Sequence, residues 1–325
     1  MLRVGIVGAG LIGNKRAISL AASASGAKLV AVSDLSVERA QKLAAPYEAE
    51  VIVQWQDLVK RSDIDAIIIA TSNNAIPEVA TAALQAGKHV LVEKPAGRNP
   101  EEIQALKIVA EKSAKVLGVG FNHRFHPALQ KAKTMIDAGA IGELMYIRAR
   151  YGHGGRIGYD KEWRADPKLS GGGELLDQGV HLIDLTRWLG GEFNLEFGRV
   201  ETFFWDMPVE DNGFLLLKSP NQKKYAFLHA SCTEWKNLFD FEIFGQTGKL
   251  QIWGLGRSYG VEELRYFKMK PEMGPPDTEV WTYPGEDQSW NLELDAFLSE
   301  IEGKKTDLGT VNDALRAVQI VYGAY

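Results

Sequence analysis

Gly8-Ala9-Gly10-Leu11-Ile12-Gly13 lies between an apolar run, Leu2 to Val7, and a helical pattern. In this spacing the first glycine permits a tight turn, the second lets a pyrophosphate approach the backbone, and the third allows close helix packing. The helix that opens at Leu11 and Ile12 presents free N–H groups to an anion. Asp34 ends the second apolar run, about 20 residues on, where a carboxylate accepts hydrogen bonds from the adenosine ribose hydroxyls and repels a 2′-phosphate. Leu35 and Ser36 come next rather than a basic residue, so the expected cofactor is NAD(H), preferred over NADP(H). Thr71, Ser72 and Asn73 follow another apolar run, Ala66 to Ala70, at the sheet edge where ligands bind in such folds. Ordinary turn residues are the plain alternative there.

Hydride transfer at a carbinol needs a base for the hydroxyl proton and an electrostatic partner for the developing oxyanion. Two places offer these groups. Glu93-Lys94-Pro95 ends the fifth apolar run, so Lys94 is a candidate to aim its ammonium at a substrate. Asp177 and His181, four apart in Gly171-Gly172-Gly173-Glu174-Leu175-Leu176-Asp177-Gln178-Gly179-Val180-His181, share a helical face, where a carboxylate orients an imidazole and raises its basicity. Gly179 inside that helix costs about 1 kcal/mol against alanine and marks a close approach of backbone. A structural Asp-His pair is the alternative.

Between Arg148 and Lys168, six basic residues (Arg148, Arg150, Arg156, Lys161, Arg164, Lys168) face three acidic ones. They are either an anchor for an anionic substrate group or a solvated strand and loop. Tyr151, His153 and Trp163 in this stretch are candidates to contact a sugar ring, or are core aromatics. His123 and His126 are three apart with no further ligand cluster, so no metal is expected.

The elements that must position these groups differ between the two parts of the chain. Up to about residue 122, short apolar runs alternate with helical patterns, and Asn99-Pro100-Glu101-Glu102 reads as a helix start. This predicts an α/β doubly wound parallel sheet over 1–122. From 123 to 325 the pattern becomes α+β with a mostly antiparallel sheet. Strands are expected near Leu144 to Tyr151, Arg199 to Phe204, Phe214 to Lys218, Tyr225 to Thr233 and Phe239 to Phe244, with one helix at Glu174 to Leu189. Val311, Ala314, Leu315, Val318, Val321 and Tyr322 predict a final amphipathic helix.

With 325 residues, two cores are expected. The 37 Lys plus Arg against 42 Asp plus Glu lack the basic excess that nucleic acid demands. No run reaches membrane-spanning length, and the glycines at 5, 8, 10 and 13 would break a signal helix. One cysteine, Cys232, fits a reducing, cytoplasmic location and a buried structural role.

GAGLIG at 8 to 13, AGKHVLVEKP at 86 to 95, GFNHRFHPA at 120 to 128 and GGGELLDQGVHLIDLTRWLGG at 171 to 191 together resemble the glucose-fructose oxidoreductase and inositol dehydrogenase family, Gfo/Idh/MocA. The resemblance implies a Rossmann domain followed by an open-faced sheet domain used for dimer or tetramer contacts. It also implies a sugar-like or polyol substrate, with Lys94, Asp177 and His181 as the catalytic group: His181 accepts the proton and Lys94 bonds the reacting hydroxyl. Glu93 and Asn122 would line the nicotinamide pocket, and Arg124 of the third motif the substrate. Ser72, Asn73 and Ile76 depart from the family's usual cofactor-edge loop. A non-catalytic dinucleotide and sugar sensor, or an enzyme that recycles bound NAD internally, are the competing readings.

Overall fold

The computed structural model describes residues 1–23 and 26–325. The chain divides into two compact units, the first made of 1–122, 168–171 and 290–316 and the second of 123–167, 172–289 and 317–325. The single second domain expected over 123–325 is therefore interrupted twice by chain that returns to the first unit.

In the first unit, strands β1 (Leu2–Val7), β2 (Ala27–Ser33), β3 (Glu50–Val51), β4 (Ala66–Ile69), β5 (His89–Glu93) and β6 (Leu117–Gly120) run parallel. A late strand, Gly309–Thr310, which is β15 in chain order, adds antiparallel to β6, giving the order β15-β6-β5-β4-β1-β2-β3. Ala66-Ile67-Ile68-Ile69 is wholly buried because helices cover both faces of such a sheet. Helices α1 (Leu11–Ala22), α2 (Val37–Ala44), α3 (Trp55–Lys60), α4 (Ile76–Gln85) and α5 (Pro100–Lys112) lie between the strands. At α5 the Asn99 side chain accepts from the Glu102 N–H at 2.8 Å, with Pro100 in the first turn, so the start signal does what its chemistry predicts.

The second unit carries β7 (Leu144–Gly152), β8 (Asn194–Glu201), β9 (Asn212–Lys218), β10 (Tyr225–Ser231), β11 (Leu238–Gly245), β12 (Gly248–Trp253), β13 (Glu262–Lys268) and β14 (Asp277–Tyr283), ordered β14-β13-β12-β11-β7-β10-β9-β8. The β7 and β10 pair is parallel and the other pairs are antiparallel. Ile147, Ala149 and Tyr151 point to the buried face, while Arg148 and Arg150 point outward beside Glu242 and Asp240. Helices α6 (Pro127–Asp137) and α8 (Val180–Gly190) belong to this unit, whereas α7 (Pro167–Ser170) and α9 (Ser289–Ile301) fall almost wholly in the first and α10 (Val311–Ala324) is divided between the two. Phe214, Phe227 and Trp253 remain exposed on the sheet.

Several expectations shift. The strand expected to run to Phe204 stops at Glu201, because the Asp211 carboxylate takes the N–H groups of Phe203, Phe204 and Trp205 out of any ladder. The single helix at Glu174 to Leu189 is a π-helical turn, Leu175–Gly179, running into α8. Strands β12 to β14 and helix α6 were not anticipated. A Cβ at Gly179 would meet Leu175 at 2.6 Å and Ala230 of β10 at 3.3 Å, so this glycine does mark a close approach.

Candidate active site

The glycine loop joins β1 to α1 as its spacing requires. Gly8 has φ of +103°, and a Cβ there would strike the Ala70 carbonyl; a Cβ at Gly13 would strike the Gly8 carbonyl. These two glycines close the turn and bring helix against strand. Gly10 is different: a Cβ there would meet nothing within 4 Å. Among the described residues no side chain caps α1. Leu11 and Ile12 thus begin a helix with no side-chain cap and open space beside Gly10, a cradle that fits a pyrophosphate.

Asp34 sits behind this loop. Its Oδ2 accepts from the Ala9 N–H at 2.7 Å, and its Oδ1 accepts from the Ser36 N–H at 2.8 Å and from Arg39 Nη2 at 2.9 Å. Burial pushes the carboxyl up, but the Ala9 and Ser36 N–H groups and the Arg39 guanidinium outweigh it and hold Asp34 below the usual carboxylate range. Arg39, in the first turn of α2, lies beyond the two residues that immediately follow Asp34, and its signal in the sequence is the five-residue offset that returns a helical side chain to that carboxylate.

Thr71 donates to the Ser72 carbonyl at 3.1 Å and Ser72 donates to Asn74 Oδ1 at 2.7 Å, a self-bonded edge loop. Asn73 is buried and donates to the Ser170 carbonyl at 2.8 Å, so its amide ties the edge loop to segment 168–171. At the end of β5, Glu93 Oε1 accepts from Arg16 Nε at 2.8 Å. Arg16 is fully buried on α1, also pairs with Glu293 of α9, and lies 4.6 Å from the Trp290 ring centroid. Two carboxylates offset the cost of burying that guanidinium, and the backbone leading into Lys94 is held by them. Asn122, also buried, closes the first unit.

The second unit gathers the histidines. His181, at the start of α8, and His123 are both buried and stacked at 3.8 Å between centroids with 17° between planes. Tyr151 stands edge-on to His123 at 5.2 Å and to His181 at 6.3 Å. Burial raises the Tyr151 hydroxyl well above its ordinary range, and Tyr259, hydrogen-bonded to it, is pushed up to about 12. Asp177, in the π-helical turn, accepts from Arg164 Nε at 2.9 Å. The Asp177 charge, ahead of the cost of burial, raises the Arg164 pKa.

Beside them, Tyr159 donates to Glu174 Oε2 at 3.2 Å, and His153 Nε2 lies 3.5 Å from Glu174 Oε1. His153 Nδ1 accepts from the Gly155 N–H at 2.9 Å, which leaves the proton of the neutral ring on Nε2, toward Glu174. Burial lowers the His153 pKa and outweighs the nearby Asp177 charge, so the neutral form is favoured. Tyr159 and Glu174 were not singled out in the sequence, although Glu174 stands within the Gly-Gly-Gly motif.

The four arginines of the basic stretch pair with this chain's own carboxylates: Arg148 with Glu242, Arg150 with Asp240, Arg156 with Glu162 and Arg164 with Asp177. The solvated-strand reading therefore holds for the arginines of β7. Trp163 receives the Arg164 guanidinium at 4.7 Å from its centroid. Arg124, expected at the substrate, is buried with Nε 2.8 Å from Asp184 Oδ2, an internal ion pair. His126 Nδ1 lies 2.9 Å from Glu262, which also takes the Ala128 N–H at 2.7 Å, a helix-to-sheet tie. Among the described residues no group of three or more His, Cys, Asp or Glu could hold a metal, and no helix is long and apolar enough to cross a membrane.

The first unit is a parallel sheet with an open glycine cradle, and the second joins a large, mostly antiparallel sheet to a buried histidine stack. Residues 2–121 match the family described as "Oxidoreductase family, NAD-binding Rossmann fold", and 129–251 match its "GFO/IDH/MocA C-terminal domain". An inositol 2-dehydrogenase of Rhizobium meliloti (strain 1021) is 32% identical over 99% of this chain and 96% of its own length. The chain belongs to the Gfo/Idh/MocA family. A levoglucosan dehydrogenase of Pseudarthrobacter phenanthrenivorans is 31% identical over 65% of this chain, which spans 57% of that relative's length. Levoglucosan dehydrogenase in complex with NADH and levoglucosan superposes with a TM-score of 0.88 at 25% identity, covering 99% of this chain and 96% of that one.

Proposed function

We propose that this protein is an NAD(H)-dependent oxidoreductase that moves hydride between the nicotinamide and a secondary hydroxyl or keto carbon of a sugar, polyol or sugar-nucleotide derivative. The observation that carries this reading is the buried His123 and His181 stack beside the Asp177-bearing turn, in a chain of this family. Catalysis is assigned to Lys94, Asp177 and His181. The bound dinucleotide supplies the hydride acceptor, held by Gly8, Gly10, Leu11, Ile12, Gly13 and Asp34. One His181 ring nitrogen takes the hydroxyl proton, and the stack with His123 restricts the ring to one plane. Lys94 bonds the reacting oxygen and favours its anionic form. Asp177 sets the field at His181 and is itself set by Arg164. Tyr151, His153, Trp163 and Arg164 supply a mixed aromatic and hydrogen-bonding surface of the kind sugar hydroxyls need.

NAD(H) is preferred over NADP(H) because Asp34 is ionised, but by a modest ratio because Arg39 sits on it. A cytoplasmic location is supported by the single buried Cys232, and a homodimer or homotetramer by the exposed Phe214, Phe227 and Trp253. The test is a fluorescence titration with NADH and NADPH, then a screen of inositols, sugars and sugar nucleotides at the nicotinamide absorbance band, with His181→Ala in parallel. Turnover that falls by about a thousandfold or more in the variant is expected. Cofactor binding without turnover of any polyol would reject the dehydrogenase in favour of a sensor or of an enzyme that recycles bound NAD internally.

A further inference from the structure

Outside the residues assigned above, the second unit displays aromatic rings that its fold does not bury. Phe203, Phe204 and Trp235 are 67%, 56% and 66% exposed. Scattered surface aromatics are ordinary, but these are held in place. The Asp211 carboxylate accepts the N–H groups of Phe203, Phe204 and Trp205 at 2.9, 2.7 and 3.1 Å. Thr202 donates to the Val209 carbonyl at 3.0 Å, closing the base of the loop. Burial pushes the Asp211 carboxyl up, yet Asn212 and the three N–H groups hold it below its usual range, so the clamp is ionised. Trp235 has φ of +58°, a left-handed backbone that costs a bulky residue of order 1 kcal/mol or more. Phe204 meets Trp235 edge to face, 4.6 Å apart at 88°, so the two rings form a fixed corner.

The corner is continuous with the polar groups of the candidate site. Trp205 donates from Nε1 to the Cys232 carbonyl at 3.0 Å, and its ring lies 5.6 Å from Tyr159, whose hydroxyl reaches Glu174. Glu174 in turn faces His153. A path of two rings thus leads from the buried carboxylate to the exposed corner. Gly154 packs on the Trp235 backbone and a Cβ at Gly155 would strike Trp205, so the loop bearing His153 is seated directly on these aromatics.

We propose that Phe204 and Trp235 form a platform for a second pyranose ring, so that the substrate is a glycoside and not a free monosaccharide. This deepens the sugar-oxidoreductase reading and rests on it. A pyranose presents C–H bonds on one face and hydroxyls at its rim. The first suits an aromatic ring, the second the half-buried His153 of the loop seated on these aromatics. The size also fits: two aromatic side chains of roughly 200 Å² each, exposed to this extent, offer on the order of 250 Å². A protein partner needs about 800 Å².

The experiment compares kcat/KM for disaccharides and for their component monosaccharides in the wild type, Phe204→Ala, Trp235→Ala and Trp235→Phe, with a parallel titration of tryptophan fluorescence by disaccharide. We expect saturable quenching that Trp235→Ala abolishes. The disaccharide-to-monosaccharide ratio should fall about tenfold in either alanine variant, through KM, and recover in Trp235→Phe. An unchanged ratio, or variants that lose oligomer mass in sedimentation while keeping the ratio, overturns the platform and gives the corner to a second copy of the chain. If no sugar turns over, the oxidoreductase reading fails by itself. Quenching lost in Trp235→Ala would then still support the platform, and its absence in the wild type would reject it.

Discussion

The glycine cradle of the first unit and the histidine stack of the second are built from opposite materials. The cradle is backbone: six consecutive residues whose value lies in what they lack, with Gly8 and Gly13 making room for carbonyls and Gly10 leaving room for a ligand. The stack is side chain: His123 comes from the turn after β6, Tyr151 from β7, His153, Arg164 and Glu174 from the segment after β7, Asp177 from the π-helical turn and His181 from α8, and they contact one another in pairs. A backbone site tolerates change in its neighbours but not in its glycines. A side-chain site distributes its tolerance.

The largest effect that sharpens this contrast lies within the cradle. Gly13→Ala forces a methyl against the Gly8 carbonyl and should cost about 2 to 4 kcal/mol, lowering Tm by several degrees in calorimetry and abolishing NADH binding. Gly10→Ala should leave Tm within about 1 °C while weakening NADH by about tenfold or more, because no protein atom lies within 4 Å of the added methyl and the pyrophosphate is expected there. Equal Tm losses for both would dissolve the division between turn glycines and ligand glycine.

A smaller effect is expected in the stack. Arg164→Met removes the 2.9 Å bond to Asp177 from a partly exposed position, so folding should persist while kcat/KM falls by about ten- to a hundredfold. Loss confined to Tm, with activity per folded molecule intact, would make the pair structural. The mildest change is at the hinge between backbone and side-chain control: Arg39→Ala frees Asp34 from its cation and should widen the NADH-over-NADPH affinity ratio by about three- to tenfold. A narrowed ratio in paired titrations would instead mean that Arg39 orients Asp34 toward the ribose hydroxyls of NADH.

The same contrast explains what could be read in advance. The parallel unit was legible because Ala66 to Ile69 and Val90 to Val92 are buried on both faces and so appear as unbroken apolar runs. Strands β12 and β13 escaped because Gly-Lys-Leu-Gln-Ile-Trp and Glu-Glu-Leu-Arg-Tyr-Phe-Lys bury alternate residues only, and Glu262 faces inward on its bond to His126. The contiguous glycine motif announced its task. The pairing of Arg164 with Asp177, or of Tyr159 with Glu174, depends on folding across 13 or 15 residues that no local spacing encodes.

Heredity meets a limit in the way the chain is threaded. A genetic crossover after Asn122 would seem to pass on a complete nucleotide-binding half, yet that half would arrive without Glu293 and Trp290 around the buried Arg16 and without Gly309–Thr310 along the edge of β6. The inherited fragment would carry a poorly compensated buried charge and a bare sheet edge prone to self-association. Recombination that keeps such proteins alive must therefore exchange the amino-terminal segment together with residues 290–316, so the two stretches are expected to share one ancestry.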